Sequence, residues 1–145
     1  MEEAEIRGNV RKGYADIAEK VGSCCSRGYS TKIGYTKDEL NSVPEGADLS
    51  LGCGNPVALA SLKEGEIVLD LGSGPGLDCF LAANKVGEKG RVIGVDMTPE
   101  MIERAREYAR KGNYANVEFR LGEIENLPVA DGTVDVCLLY TSDAA

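Results

Sequence analysis

Two short stretches of this chain are apolar almost without interruption: Ile67-Val68-Leu69-Asp70-Leu71, and Val92-Ile93-Gly94-Val95 ahead of Asp96. Runs of this length, bounded by glycine, predict strands buried on both faces, as in a parallel sheet. Between them, Leu77–Val86 has the spacing of a helix. A second helix follows Asp96: Thr98 is placed to cap it, Pro99 fits its first position and Glu100 its first turn. Met101, Ile102, Ala105, Tyr108 and Ala109 make its apolar face, and Gly112 ends it. Glu103, Arg104, Arg106, Glu107, Arg110 and Lys111 form a solvated stripe opposite. Residues 117–121 and 134–140 predict two further strands. Strands alternating with helices give an α/β chain with a parallel, doubly wound sheet.

The N-terminal third reads differently. Residues 4–21 predict a helix with Ile6, Val10, Tyr14, Ile17 and Val21 on one face. Gly8 and Gly13 weaken it by up to about 1 kcal/mol each. Residues 22–58, rich in Gly, Ser and Pro, are expected to be irregular; a loop of that length inside a domain is usually functional or disordered. Asn55-Pro56 is expected to start a turn. The chain divides into an N-terminal helix with a cysteine-bearing lid or loop segment, 1–62, and a partial sheet domain, 63–145. A doubly wound sheet places a strand such as 134–140 at its centre, yet here it would be a bare edge. The chain is therefore expected to be a fragment, incomplete at its C-terminus.

Composition narrows the chemistry. Sixteen Lys and Arg stand against 24 Asp and Glu, a net charge of -8, with no basic patch, so no nucleic-acid partner is expected. No apolar run approaches the roughly 18 residues that span a bilayer. Met-Glu-Glu-Ala-Glu does not read as a secretory leader, and a cytoplasmic chain is expected. A monomer is expected. Five cysteines, an odd number with no C-x-x-C pair, argue for reduced thiols rather than a disulfide framework. The absence of histidine removes His-based triads and His metal sites from this chain.

The apolar run 67–71 leads into Gly72-Ser73-Gly74-Pro75-Gly76, a strand–turn–helix of nucleotide-binding type. A dinucleotide fingerprint, G-x-G-x-x-G from Gly72, would need glycine at Leu77. Asp70 would also repel a diphosphate at the helix start. An acid suits a ligand with a cationic amino acid group, which points to S-adenosylmethionine. Asp96, at the end of the second strand and followed by Met97, is placed to accept from ribose hydroxyls. Gly122-Glu123-Ile124, beyond the third strand, is placed to face an adenine. Tyr14 fits two readings, a packing residue or part of a lid over the cofactor. Cys79 reads as a small packing residue. Leu51-Gly52-Cys53-Gly54 echoes the glycine motif, but no apolar run feeds it, so it reads as a loop.

Val10-Arg11-x-x-Tyr14, Ser23-Cys24-Cys25, Leu51-Gly52-Cys53-Gly54-Asn55-Pro56, Val68-Leu69-Asp70-Leu71-Gly72-Ser73-Gly74, Gly94-Val95-Asp96-Met97-Thr98-Pro99-Glu100-Met101 and Gly122-Glu123-Ile124-Glu125-Asn126-Leu127-Pro128 together resemble bacterial arsenite methyltransferases. The resemblance runs from about residue 8 to residue 136, and the Gly-Cys-Gly-Asn-Pro loop is its most specific part. It implies a Rossmann-like methyltransferase core that moves a methyl group from S-adenosylmethionine to thiolate-bound trivalent arsenic, arsenite or methylarsenite. Thioredoxin or glutathione would serve as reductant. By the same resemblance Cys53 and one of Cys24 and Cys25 hold arsenic. Cys137 falls too early in its strand, without the Ser-Asn pair the family has there, and is not assigned. Asp70, Gly72, Ser73, Gly74, Gly76, Asp96, Met97, Glu123, Ile124 and Tyr14 are the candidate cofactor residues. Two other functions fit part of the pattern: a methyltransferase acting on another small molecule such as a quinone precursor, and a non-catalytic thiol protein that binds metalloids. A nicotinamide-dependent oxidoreductase fits worst, because the third glycine is missing.

Overall fold

The computed structural model of the chain describes residues 2–20, 34–47 and 56–139. They form α1 (Glu3–Lys20), α2 (Lys37–Asn41), α3 (Pro56–Ala60), β1 (Ile67–Leu71), α4 (Leu77–Val86), β2 (Arg91–Asp96), α5 (Pro99–Lys111), β3 (Val117–Leu121) and β4 (Val136–Leu139). The strands make one parallel sheet in the order β3-β2-β1-β4. Chain order runs outward from β1 to β3 and then returns to the other side of β1. That reversal is a topological switch point, where an open α/β sheet leaves a crevice beyond the carboxyl ends of its strands. No helix among the described residues is long and apolar enough to cross a membrane.

The apolar runs are buried as their pattern demands. On one face Val68, Val92 and Phe119 pack with Cys79, Phe80, Ala83 and Val86 of α4 and with Ile102 and Ala105 of α5. The Phe80 ring meets Phe119 edge-on at 5.7 Å and Tyr114 at 4.7 Å. Tyr35, Leu40, Ala47, Leu59 and Leu62 join this cluster from the N-terminal side. On the other face Leu69, Leu71, Ile93 and Val95 are covered by Val129 and Val134. At β4 the strand begins at Val136 rather than 134. Asp135 just before it ties the start of β1, its Oδ2 accepting from the Ile67 N–H at 2.8 Å.

Several local expectations need correction. The stretch taken as irregular contains α2 and α3. Helix α2 starts on a capping box: Thr36 Oγ1 accepts from the Glu39 N–H, and the Glu39 carboxylate accepts from the Thr36 N–H. Pro56 opens α3 instead of starting a turn. In α1 the apolar face turns inward only in the second half, where Tyr14 and Ile17 are half-buried. Ile6 and Val10 are 48% and 42% exposed, and Arg7 and Arg11 make the ion pairs of the first half. Thr98 occupies the N-cap of α5, but its side chain makes no capping bond. Gly112 does end α5 as expected, but in right-handed backbone, and the left-handed residue is Asn113. Glycine is needed at 112 for space, since a Cβ there would lie 2.8 Å from the Tyr114 ring. Arg106, exposed on the solvated stripe, also donates to the Phe119 carbonyl at 2.9 Å.

Gly94 sits in β2 where a Cβ would lie 2.7 Å from Phe119 and 2.9 Å from Cys79 Sγ. Gly94→Ala is expected to lower the unfolding free energy by about 1–3 kcal/mol through overpacking. Urea denaturation would read this, and a variant as stable as the parent would show that the site has slack. On β3, Glu118 accepts from Arg120 Nε at 2.7 Å and also pairs with Arg91; these guanidinium groups, Arg120 foremost, hold its carboxyl at about 2 against an ordinary 4.5. A carboxylate lowered on folding stabilises above its unfolded pKa and loses that contribution as pH falls from 4.5 to about 2. Solvent screens the pair, so the effect is small. Glu118→Gln should lower Tm slightly at pH 7, with the gap from the parent closing by about pH 2.

Candidate cofactor site

β1 turns into α4 through three glycines, all in the left-handed region: Gly72 at φ 74°, Gly74 at 55° and Gly76 at 100°. Their surroundings differ. A Cβ on Gly72 or Gly74 would meet nothing within 4 Å, so this backbone borders open space. A Cβ on Gly76 would lie 2.6 Å from Phe119 and 2.9 Å from Phe80, so that glycine faces the core. The turn is tied to β2 by the Gly72 and Ser73 N–H groups, which donate to the Val95 carbonyl at 2.8 and 3.0 Å.

Asp96 completes that tie. Its Oδ2 accepts from the Gly74 N–H at 3.0 Å and its Oδ1 from the Thr98 N–H at 2.8 Å. A carboxylate has about four acceptor sites, so each oxygen keeps capacity for another donor such as a hydroxyl. Met97 lies half-buried between Asp96 and Thr98.

Asp70 lies beneath the turn and is 1% exposed. Its Oδ2 accepts from Cys79 Sγ at 3.3 Å, while its Oδ1 has no hydrogen-bond partner. Ser73 Oγ is likewise buried without a partner. Burial first, and then the charge of Asp78, raise the Asp70 carboxyl well above the usual range, with the Cys79 bond opposing them. The Cys79 thiol is itself pushed up, by burial first and by Asp70 next. It is a protonated donor inside the core, which fits the packing role expected of it. Asp78, in the first turn of α4, is buried and accepts from the Tyr35 hydroxyl. Three acids therefore surround the N-terminus of α4. Their charge opposes the positive end of the helix macrodipole, so the turn favours a ligand with cationic and hydroxyl groups over a diphosphate.

Beyond β3, the Gly122 N–H donates to the Asp96 carbonyl at 3.0 Å, which carries Glu123 toward the same crevice. The Glu123 carboxylate accepts from Arg7 Nη1 at 3.2 Å and Arg11 Nη2 at 2.9 Å. Ile124 is 54% exposed beside it. Tyr14 is half-buried on the helix that carries the arginines. The sheet thus gathers Asp70, Gly72, Ser73, Gly74, Asp96 and Met97 at adjoining strand ends, with Glu123 and Ile124 in the loop after the next strand. Cys24, Cys25 and Cys53 lie outside the described residues. Cys137 is exposed on β4, and among the described residues no three His, Cys, Asp or Glu side chains gather as metal ligands. Three contacts had no signal in the sequence reading: Cys79 on Asp70, Tyr35 on Asp78, and the α1 arginines on Glu123.

A carboxyl raised on folding stabilises only below its unfolded pKa, and that contribution fades as pH rises toward the folded value. Asp70 therefore makes the ligand-free chain less stable as pH climbs above about 3.8. Asp70→Asn should melt at or above the parent temperature at pH 7, with the advantage shrinking toward pH 4. Paired melts by circular dichroism would check this; a variant that loses several degrees at pH 7 would contradict it.

Residues 62–143 match the methyltransferase domain. Arsenite methyltransferase of Halobacterium salinarum is 53% identical over 152 residues, covering 92% of this chain and 39% of the relative. That of Aquipseudomonas alcaligenes is 39% identical, covering 89% of this chain and 38% of its own. A solved S-adenosylmethionine-dependent methyltransferase from Aquifex aeolicus is 40% identical at a TM-score of 0.52, covering 53% of this chain and 41% of that one. The chain spans about two fifths of the length of these curated relatives. With the parallel sheet, the glycine turn and the paired acids in place, the chain belongs to the methyltransferase domain family.

Proposed function

We propose that the chain is the cofactor-binding part of an enzyme that methylates trivalent arsenic from S-adenosylmethionine. The observation that carries the cofactor reading is the open space beside Gly72 and Gly74, with two buried, unpartnered polar atoms, Asp70 Oδ1 and Ser73 Oγ, in the same strand-to-helix segment. Buried acceptors left unpaired cost about 1–3 kcal/mol each, which a donor-bearing ligand removes. An ammonium group suits Asp70, because a nearby cation favours the carboxylate that burial disfavours. Asp96 would hold the ribose hydroxyls, Glu123 the exocyclic amine of adenine, and exposed Ile124 an edge of the ring. The chemistry supplied by the bound cofactor is a methyl group activated by a sulfonium.

The arsenic part of the reading rests on the likeness to relatives named arsenite methyltransferase. Cys53 and one of Cys24 and Cys25 would hold arsenic as thiolates, soft ligands for a soft centre. With the cofactor bound, the arsenic lone pair would form an As–C bond as the C–S bond breaks, the electron pair of that bond going to sulfur. No strong base is required, so the protein contributes proximity and alignment. Arsenic is formally oxidised by two electrons, and a thiol reductant of thioredoxin or glutathione type restores it as two thiols become one disulfide.

Calorimetric titration with S-adenosylmethionine tests the reading. The unaltered, reduced chain should bind, and Asp96→Asn should bind at least about tenfold more weakly, the scale of a lost charge-assisted hydrogen bond. Cys53→Ser should keep cofactor affinity and lose arsenite affinity. A folded chain that binds no S-adenosylmethionine would sink the cofactor assignment. Arsenite binding that survives removal of Cys24, Cys25 and Cys53 would sink the thiol assignment.

A further inference from the structure

Arg7 and Arg11 lie one turn apart on α1, and both reach Glu123 across 116 and 112 residues of sequence. Arg7 also pairs with Glu125 at 3.2 Å. In the first half of α1, Ile6 and Val10 stay 48% and 42% exposed, and the long-range contacts are made by Arg7 and Arg11, whose side chains are 36% and 44% exposed. Arg11 Nε is buried and has no hydrogen-bond partner. The end of α1 near the crevice is therefore placed by charge, and the charge it meets is the acid assigned above to adenine.

A glutamate on a loop must be immobilised whenever it reads a ligand, and that ordering opposes binding. Two guanidinium groups from a second element immobilise it beforehand. They use two of about four acceptor sites on the carboxylate and leave the others for an amine. We propose that Arg7 and Arg11 are positioning residues that aim Glu123 at the exocyclic amine of adenine, so that adenine selection depends on α1 lying closed over the β3 loop. The inference rests on the cofactor reading of the preceding section. Its chemistry is discriminating. An amine at that ring position donates to the aimed carboxylate, whereas a keto oxygen there leaves two acceptors facing each other.

Equilibrium binding of S-adenosylhomocysteine and of its inosine counterpart, which carries the keto oxygen, separates the possibilities. The unaltered chain should prefer the adenosyl compound at least about tenfold. Arg7→Gln with Arg11→Gln should cut that preference by about threefold or more, the scale of exposed ion pairs, by weakening the adenosyl compound alone. Arg7→Lys with Arg11→Lys should restore part of it, and raised salt should erode it in the unaltered chain. Arg11→Gln alone is a milder variant that should show part of the loss even if the double variant folds poorly. If the glutamine variants keep the preference, or lose both compounds by the same factor, the proposal is overturned and α1 is only a surface support. If the unaltered chain binds neither compound, the cofactor reading falls and this inference with it.

Discussion

Two backbone N–H groups, from Gly74 in the turn after β1 and Thr98 beyond β2, converge on the two oxygens of Asp96. This bridge sets the distance between two strand ends, and the other parts of the crevice are placed relative to it. The glycine turn is held open above it, with the Val95 carbonyl taking the Gly72 and Ser73 N–H groups. The β3 loop hangs from the Asp96 carbonyl through Gly122. Glycine at 122 is required by close packing, since a Cβ there would lie 2.7 Å from Pro128. One residue thus offers its side chain to the turn and the ligand space, and its main chain to the neighbouring loop.

Beneath the bridge the protein carries an unfavourable arrangement. A buried carboxyl with one thiol donor and one vacant oxygen is a poor way to hold a fold together. It is tolerable because the surroundings are packed tightly. Gly76 and Gly94 both close on Phe119, and Gly94 also leaves room for the sulfur that holds Asp70 in place. The three glycines of the motif therefore act in two directions, Gly72 and Gly74 opening space for a ligand and Gly76 closing space in the core. Local strain of this kind is characteristic of sites shaped for binding rather than stability.

The sheet was legible because its strands announce themselves. Runs at 67–71 and 92–95 between glycines and acids have few alternatives, and the Pro99 and Met101–Ala105 pattern leaves little doubt about α5. That Asp70, Gly72, Gly74 and Asp96 meet at adjoining strand ends was readable for the same reason. What stayed hidden depends on tertiary partners. Ile6 and Val10 have helical spacing, but spacing cannot say that the arginines beside them, and not these two, will make the contacts to Glu123. Thr98 looked like a cap by residue type, yet its N–H donates to Asp96 and its buried side chain makes no capping bond. The capping box at Thr36 and Glu39 was present in the sequence and was masked by the glycine-rich composition around it.

The distances along the chain between interacting groups differ sharply across this small structure. Asp70 and Cys79 are 9 residues apart, and Gly74 and Asp96 are 22 apart. The tie between β1 and the start of β4 spans 68 residues, and the one between α1 and the β3 loop spans 116. Because closing a longer loop costs more entropy before any contact rewards it, the order of assembly follows. The cradle belongs to the first strand–helix–strand unit and can form as soon as that unit condenses. The edge strand joins later, and the N-terminal arm docks onto a crevice that is already shaped.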